Sequence, residues 1–552
     1  MKKIKYIIAV ALAAVTLSSC EKNFDPQIYG TFNTTIIPSS VEDVNNLVAS
    51  CYLPFTSFWT YVTGSGEELC WYSPANGTYL VFDLTSDLAG KMVCYGNTER
   101  TRFSAGNYSN AVNFARTGAG DSNINHMHGV ADVSRMTKTY DVIENCDCIS
   151  DAQKAKFLGE IALCRALSMY YTIHYYGPLP FIRNAEDLTS EEALFSLERP
   201  SLEECTKWIT EDMEFAVQNI WDKGEINQNG RYNKDYAKVC LARHYLNEGY
   251  YMDGYYEKAA KLCKEIMDSG RYALFNKTTN VNPYVDQFAS ANGFNSEVIG
   301  AVDVVPNGNN AVMGNYNAIA IYCANGWAAP DATHNPTWGI IGSAWGSSYN
   351  VSTKFYDTFE KDDLRTACID TSYIASSKYS YYKVTRDLIG SWWDGFILNK
   401  YRPEVKGTYQ PNDLPLARYA EVLLLYAEAL TRKDGSVSAD AVNAVNQVRK
   451  RAGIADLPAS STASKDAFLE AILVERGHEL YFEGQRKIDL VRFNKYATNL
   501  AIYKGVVPSH QYVPLPNYAV QQAEEHGCTL TQTYERPEYA QDLSTANSLL
   551  NK

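Results

Sequence analysis

The sequence predicts a mostly α-helical fold of tetratricopeptide-like helical hairpins, about four units, with a large irregular aromatic-rich insert. Three observations lead to this prediction. Apolar residues recur at helical spacing in residues 152–270 and 413–495. Small residues such as Ala420, Ala427 and Ala429 recur in these stripes, as paired helices need if they are to stack closely. Between residues 271 and 412 the periodicity stops. We therefore expect a helical framework that one long insert divides into two parts.

The amino terminus predicts export and lipidation. Early lysines precede an apolar stretch, Ile7 to Leu17, which is too short to span a bilayer, so residues 1–19 are typical of a signal peptide. Leu17-Ser18-Ser19-Cys20 resembles a bacterial lipobox, which implies cleavage before Cys20 and acylation of that residue. Each buried methylene of an acyl chain contributes about 0.8 kcal/mol to anchoring. We predict a lipidated Cys20 and a tether over residues 20–38. An ordinary secretory signal with a coincidental cysteine is the alternative.

Residues 39–270 form the predicted N-terminal helical region. Its helices, set by capping residues and apolar spacing, are expected at 39–58, 125–145, 152–176, 201–220, 235–248 and 255–269. Between the first two, residues 60–122 lose all regularity and are rich in Gly, Asn, Ser and aromatic residues. Long loops inside globular chains are usually functional or disordered, and the aromatic residues favour order. We predict that this loop contacts a ligand.

The insert, residues 271–412, concentrates tryptophan. It contains five of the nine tryptophans, set among Asn, Gly and Ser: Trp327, Trp338, Trp345, Trp392 and Trp393. The chain also has 41 tyrosines, more than a core requires, which suggests flat amphipathic surfaces that touch a ligand. The formal charge of −13 argues against a nucleic-acid partner.

Residues 413–552 form the predicted C-terminal helical region and tail. Two helices joined by a turn at residues 433–436 are followed by a second pair, which begins near Ala467. The second pair carries a line of carboxylates at four-residue steps, Glu475, Glu479 and Glu483. They repel one another, so nearby arginines such as Arg449 or Arg451 must neutralise them. A general acid and base is the alternative reading of these carboxylates.

No short sequence motif indicates a nucleotide site or a metal site. Gly118-Ala119-Gly120 lacks the third glycine of a dinucleotide loop, and residues 225–236 imitate a calcium loop that ends in a tyrosine. His126 and His128 lie two residues apart, so on a helix they point to nearly opposite sides and cannot share a metal. We predict no metal and no cofactor. After Cys20, twelve cysteines remain; buried free thiols are expected, and disulfides stay open.

Three ordered segments carry a resemblance to a known family. RYAEVLLLYAEAL from Arg418, AVNAVNQVRKRAG from Ala441 and ILVERGHELYFEGQRKIDLVRF from Ile472 resemble the C-terminal signature of the SusD/RagB family of outer-membrane nutrient-binding lipoproteins. Arg165-Ala166 and the Gly-x-x-Pro ending at Pro180 are similar to the family's pattern as well. The chain departs from the family's closing Asn-Pro-Gly-Tyr at Thr533-Tyr534.

The resemblance implies where a ligand would bind. A pyranose stacks its C–H face on an aromatic ring, and its hydroxyl rim needs planar polar groups. Family members contact glycans through the early loop and the insert. The residues that this resemblance implies for ligand binding are Trp71, Tyr72, Asn76, Trp327, Asn335, Trp338 and Trp345. The alternative is that these rings pack the core of the irregular regions themselves.

The implied protein is a lipid-anchored surface protein of the outer membrane that faces the cell exterior. It would capture oligosaccharides and deliver them to a partner SusC-like TonB-dependent transporter, without catalysis. Three alternatives stay open: peptide capture as in the RagB branch, a tetratricopeptide scaffold that binds only protein, and a glycoside hydrolase, whose carboxylates leave no short signature.

Overall fold

A computed structural model describes the chain in thirteen stretches. They are residues 37–58, 60–63, 66–90, 102–108, 126–226, 229–304, 315, 317–323, 332–337, 339–341, 350–376, 381–384 and 395–551. The predicted signal peptide, Cys20 and all but the last two residues of the tether lie outside the described residues. A small unit contains residues 1–37 and 62–67, and a large unit contains the rest of the chain, including every helix named below.

Helices dominate the described residues. The α-helices in chain order are α1 Val41–Ser50, α2 His128–Glu144, α3 Asp151–Tyr176, α4 Glu191–Leu194, α5 Leu202–Asn219, α6 Lys234–Glu248, α7 Tyr255–Asp268, α8 Pro283–Asp286, α9 Ile319–Cys323, α10 Thr353–Tyr356, α11 Tyr419–Asp434, α12 Ala439–Arg451, α13 Lys465–Leu480, α14 Arg486–Arg492, α15 Tyr496–Lys504, α16 Asn517–Glu525 and α17 Tyr539–Leu550. A π-helix spans Tyr79–Leu84, and 3₁₀ turns span Leu53–Phe55, Glu186–Thr189, Ser290–Asn292, Gly339–Ile341, Leu364–Cys368 and Ala459–Thr462.

The long helices begin where capping residues predict. Ser150 and Gln153 form a capping box at the start of α3, and the Ser201 and Ser464 side chains accept from the third backbone N–H of α5 and α13. The first helix is shorter than the predicted 39–58. It ends at Ser50, and Pro54, which has no N–H to donate to the carbonyl four residues before it, cannot extend the α-helix.

The helices stack in sequence, and the stack passes across the insert. α2 packs on α3, α3 on α5, α5 on α6, and α6 on α7; α7 then packs directly on α11, which also contacts α12 and α13. One hydrophobic core cluster includes buried residues of all these helices. The prediction of a mostly helical, tetratricopeptide-like framework is confirmed.

A pair of strands links the insert to the start of α11. The strands in chain order are β1 Thr60–Thr63, β2 Gly66–Leu69, β3 Val298–Val302, β4 Asn350–Val351, β5 Ile369–Asp370, β6 Tyr373–Ser376, β7 Tyr381–Val384, β8 Phe396–Leu398 and β9 Leu414–Arg418. β1 pairs with β2, and β3 with β9 in antiparallel register, Val302 opposite Leu414. β9 leads directly into α11, so this pair, which we call the neck, closes the base of the insert.

The insert is more regular than its sequence suggests. β8 lies between β4 and β5 in a three-stranded sheet, and β6 pairs with β7 as a hairpin. These strands span two to four residues. A strand this short contains too few alternating positions to be recognised from periodicity, which is why the sequence predicted no strands here.

A buried ionic network joins the framework to the insert. Glu475 accepts from Arg449 at 3.1 Å, and Glu479 accepts from Arg451, so the predicted neutralisation of the carboxylate line is confirmed. Three further cations, from the insert and the neck, were not predicted. Arg365 lies 2.5 Å from Glu475, Lys400 lies 2.6 Å from Glu483, and Arg418 bonds both Glu479 and Glu483. The carboxylate line is therefore a structural contact surface for several elements.

The cysteines behave as small apolar residues. The eleven that the structure describes are free thiols, and nine of them are buried. Burial raises the pKa of Cys51, for example, to about 12, so this thiol stays protonated.

Candidate functional site

The predicted ligand residues of the early loop are buried in the core. Trp71, Tyr72 and Asn76 are all buried, with exposed fractions of 0%, 1% and 2%. Trp71 stacks on His126, with ring centroids 4.3 Å apart, and on Tyr171 of α3 at 5.2 Å. In this conformation the three side chains present no surface to a ligand, and direct contact would require them to become exposed.

Hydrogen bonds hold Tyr72 and the backbone of Asn76 in place. The hydroxyl groups of Tyr72 and Tyr236 lie 3.1 Å apart, and the Asn76 carbonyl lies 2.8 Å from Nε2 of His126. Burial lowers the pKa of His126 to about 3 and raises that of Tyr72 to about 12, so both side chains are neutral. The alternative that the sequence left open, packing of the region's own core, accounts for all of these contacts.

The two histidines of this region lie closer together than the helical spacing suggests. Their ring centroids are 5.6 Å apart, because His126 lies in a turn and α2 begins only at His128. His128 also lies beside Glu68 and Asp132, and within the described part of the chain this is the one cluster with metal-ligand spacing. Arg135 already lies against both carboxylates, 3.0 Å from Glu68, and supplies the positive charge there.

Three of the four insert residues of the predicted site fall outside the part of the chain that the structure describes. Trp327, Trp338 and Trp345 lie outside the described residues. Asn335 is described and is buried. Its side chain pairs with the backbone of β6, donating to the Ile374 carbonyl and accepting from the Ile374 N–H, both at 2.9 Å. Asn335 therefore fixes the path of the segment on either side of it.

That segment has an aromatic pair at one end. The His334 ring stacks on Tyr381 of β7, with centroids 3.8 Å apart and planes 11° from parallel. Tyr381 is 57% exposed, which is high for a tyrosine. The pair forms a flat aromatic surface that solutes can reach.

The other end of the segment lines a cavity, which we call the insert pocket. Its wall comes from residues 279–291, 336–337 and 400–412, and its volume is about 500 Å³. This volume lies within the range of about 300–1,000 Å³ that is typical of small-molecule sites. His334 and Pro336 are two residues apart, at most about 7 Å along an extended chain. The insert pocket and the aromatic pair are therefore neighbours.

The wall of the insert pocket is held rigidly by its own hydrogen bonds. Asp286 accepts the backbone N–H groups of Thr279, Asn280 and Val281. On the other side, the Gln410 side chain accepts from Glu404 and Val405 and donates to two carbonyls of the same turn. Pre-formed walls reduce the entropy that a ligand must lose on binding.

The comparison with protein families decides where the chain belongs. The model described as the SusD family matches residues 210–537, which is more than half of the chain. The chain belongs to the SusD family. The resemblance seen in its C-terminal helices is confirmed, and the match also spans the insert and the neck.

Curated relatives of this SusD-family protein have partly similar sequences. The starch-binding protein SusD of Bacteroides thetaiotaomicron is 25% identical over 405 residues, 65% of this chain and 68% of that protein. A SusD-like protein of Bacteroides ovatus is 27% identical over 365 residues. This match covers 63% of the present chain and 61% of the length of the relative.

Solved structures share the fold over nearly the whole chain. A SusD superfamily protein from Parabacteroides distasonis has a TM-score of 0.68 and 20% identity, covering 90% of this chain and 99% of that structure. Surface glycan-binding protein A from Bacteroides thetaiotaomicron, in complex with laminarihexaose, has a TM-score of 0.65 and 19% identity, covering 90% and 100%.

The described part of this SusD-family protein contains no helix that could span a membrane. None of the helices there combines the length and the apolar character that a span needs.

The residues around the insert pocket of this SusD-family protein were not predicted from the sequence. Phe288, Arg402 and Asn412 come from widely separated positions and belong to no periodic pattern. A usable signal was the short run Tyr401-Arg402-Pro403-Glu404, which mixes aromatic, charged and rigid residues within the insert.

Proposed function

We propose that this protein binds oligosaccharides at the cell surface and delivers them to a SusC-like TonB-dependent transporter in the outer membrane. The observation that carries the proposal is the fold shared over 90% of the chain with a surface glycan-binding protein in complex with laminarihexaose. Membership of the SusD family, which includes a starch-binding protein, supports the same conclusion.

The N-terminal sequence supports the location. Acylation of Cys20 would anchor the protein in the outer membrane, and the tether to residue 38 would separate the helical framework from the lipid. The protein acts by binding and carries out no chemical step. The carboxylates that suggested acid–base chemistry are buried against arginines, where no substrate reaches them.

The insert is the proposed ligand-binding part. Trp327, Trp338 and Trp345 are proposed to stack on sugar rings, as the exposed Tyr381 can. Asn335 is proposed to act through the segment that it positions. Trp71, Tyr72 and Asn76 are proposed to support the framework beneath the early loop.

Isothermal titration calorimetry tests the function. The chain without residues 1–20 is titrated with laminarihexaose, maltohexaose, xylohexaose and mannohexaose, and with a pool of random peptides. We expect at least one hexasaccharide to bind with a Kd between about 1 µM and 1 mM. Binding of peptides and of no hexasaccharide would contradict the proposal and favour peptide capture.

A pair of tryptophan variants locates the binding surface. Trp338→Ala is expected to weaken binding of the best hexasaccharide about tenfold, equivalent to about 1.4 kcal/mol. Trp208→Phe is the matched control, because Trp208 lies on α5 and packs against Phe181 of the framework. Equal affinities in both variants would remove Trp338 from the site.

A further inference from the structure

Two residues that line the insert pocket each have a buried polar atom with no hydrogen-bond partner in the described part of the chain. These atoms are Nε of Arg402, a donor, and Oδ1 of Asn412, an acceptor. Native proteins leave few such atoms unpaired, and each one calls for water, an ion or a ligand. Two residues of the pocket wall therefore each keep one polar atom, a donor and an acceptor, that the described part of the chain does not use.

The remaining polar atoms fix these two side chains in place. An Nη atom of Arg402 donates to the Ala367 carbonyl at 2.6 Å. The amide nitrogen of Asn412 donates to the Phe288 carbonyl at 3.0 Å and to Glu404 at 2.9 Å. Both side chains therefore have fixed positions in the wall of the pocket.

The charges around the insert pocket do not favour an anion. Its wall contains two cations, Lys400 and Arg402, and two carboxylates, Asp286 and Glu404. Lys400 is already paired with Glu483 at 2.6 Å. An acidic ligand would therefore meet Arg402 together with two carboxylates of its own sign, and a neutral ligand avoids that repulsion.

We propose that the insert pocket binds one neutral sugar unit of the captured glycan. Hydroxyl groups both donate and accept, so a single sugar can accept from Nε of Arg402 and donate to Oδ1 of Asn412. Phe288, Pro336 and Pro403 offer apolar surface to the C–H face of the ring. The inference rests on the proposed function. It adds that the glycan is uncharged at this position and that Arg402 and Asn412 bind it.

Two variants and one control test this inference by calorimetry. Arg402→Lys keeps the charge and removes the Nε donor, and Ala291→Trp fills the pocket from its exposed rim. Each is expected to weaken the tightest-binding neutral hexasaccharide at least fivefold. Ala463→Trp adds the same bulk at an exposed position between α12 and α13 and is expected to change nothing. Circular dichroism shows that each variant is folded.

The possible outcomes separate the inference from the function. If the parent binds a neutral hexasaccharide and both pocket variants keep that affinity, the inference is wrong and the proposed function stands. If hexagalacturonate binds more tightly than every neutral hexasaccharide, the neutral class is wrong while glycan capture stands. If no saccharide binds to the parent, the proposed function and the inference fall together.

Discussion

Arg418 lies in the centre of the ionic network and has no exposed surface on its side chain. Its guanidinium contacts three carboxylates, Glu297 at 2.5 Å, Glu479 at 2.8 Å and Glu483 at 2.6 Å. Glu297 stands just before β3 and Arg418 ends β9, so the pair lies at the end of the neck. A buried charge without a partner is costly, which makes each member of the network depend on the others.

We expect Arg418→Met to lower the free energy of unfolding by about 3–5 kcal/mol, because it leaves buried carboxylates short of a cation. Urea unfolding followed by circular dichroism measures the change. Lys207→Met removes an exposed cation from the pair with Glu203 on α5 and should leave stability unchanged. If Arg418→Met lowers the free energy of unfolding as little as Lys207→Met does, the prediction is wrong and water reaches the network.

Glu479 gives the network a dependence on pH. Burial raises its pKa, but the guanidinium groups of Arg451, Arg418 and Arg365 outweigh this and lower it from 4.5 to about 2. The unfolded chain therefore takes up the proton at higher pH than the folded chain. The stabilisation is complete above about pH 4.5 and is lost as the pH falls towards 2.

Replacing this carboxylate should reduce the acid sensitivity. We expect Glu479→Gln to be less stable than the parent at pH 6 and to lose less stability between pH 4.5 and pH 2. Urea unfolding at several pH values measures both. Parallel pH profiles for parent and variant would show that Glu479 does not control acid unfolding.

At the scale of elements, close approaches set how the helices stack. α3 is 26 residues long and contains Gly159 in its first half. A Cβ atom on Gly159 would lie 2.7 Å from the backbone nitrogen of Ile220, which follows α5. Backbone cannot move aside as a flexible side chain can, so this contact needs glycine.

The substitution Gly159→Ala should reverse the usual effect of alanine in a helix. Helix propensity alone predicts a gain of about 1 kcal/mol. We expect a loss of about 1–3 kcal/mol instead, because overpacking pushes α3 away from the end of α5. Ala155→Gly, one turn earlier, is the control and should lose about 1 kcal/mol through propensity. A more stable Gly159→Ala variant would refute the close approach.

At the scale of the whole molecule, the early part of the chain is held by its end. Asp83 accepts the backbone N–H of Gly484 at 2.6 Å, and Asp87 pairs with Arg486 at 2.8 Å. Lys504 of α15 donates to the Leu84 carbonyl at 2.7 Å. The buried segment that carries the π-helix therefore depends on residues about 400 positions later.

A fragment that ends before the insert should not fold cooperatively. In residues 38–270 alone, Asp83 and Asp87 would lose these partners, and α7 would expose the face that packs on α11. We expect a broad urea transition with low initial helicity, against a sharp transition for the chain without residues 1–20. A sharp transition for the fragment would show that the N-terminal region is an independent folding unit.

The sequence alone was enough for the helical framework and the family. α3 and α13 begin at capping serines, α11 ends at Gly435, and all three have long apolar stripes; these local signals predicted the helices to within a few residues. The carboxylate line required cations, and Arg449 and Arg451 of α12 supply them to Glu475 and Glu479 of α13. Glu483 lies beyond the end of α13 and is paired with Lys400 and Arg418 instead.

Only the tertiary structure decided which side chains face outward. Trp71 stacks on rings that are 55 and 100 positions later, His126 and Tyr171, and is buried, while Tyr381 remains exposed. The insert pocket likewise forms between segments more than 40 residues apart. Aromatic residues of core and surface look alike in sequence, because burial depends on contacts between distant segments that no local pattern records.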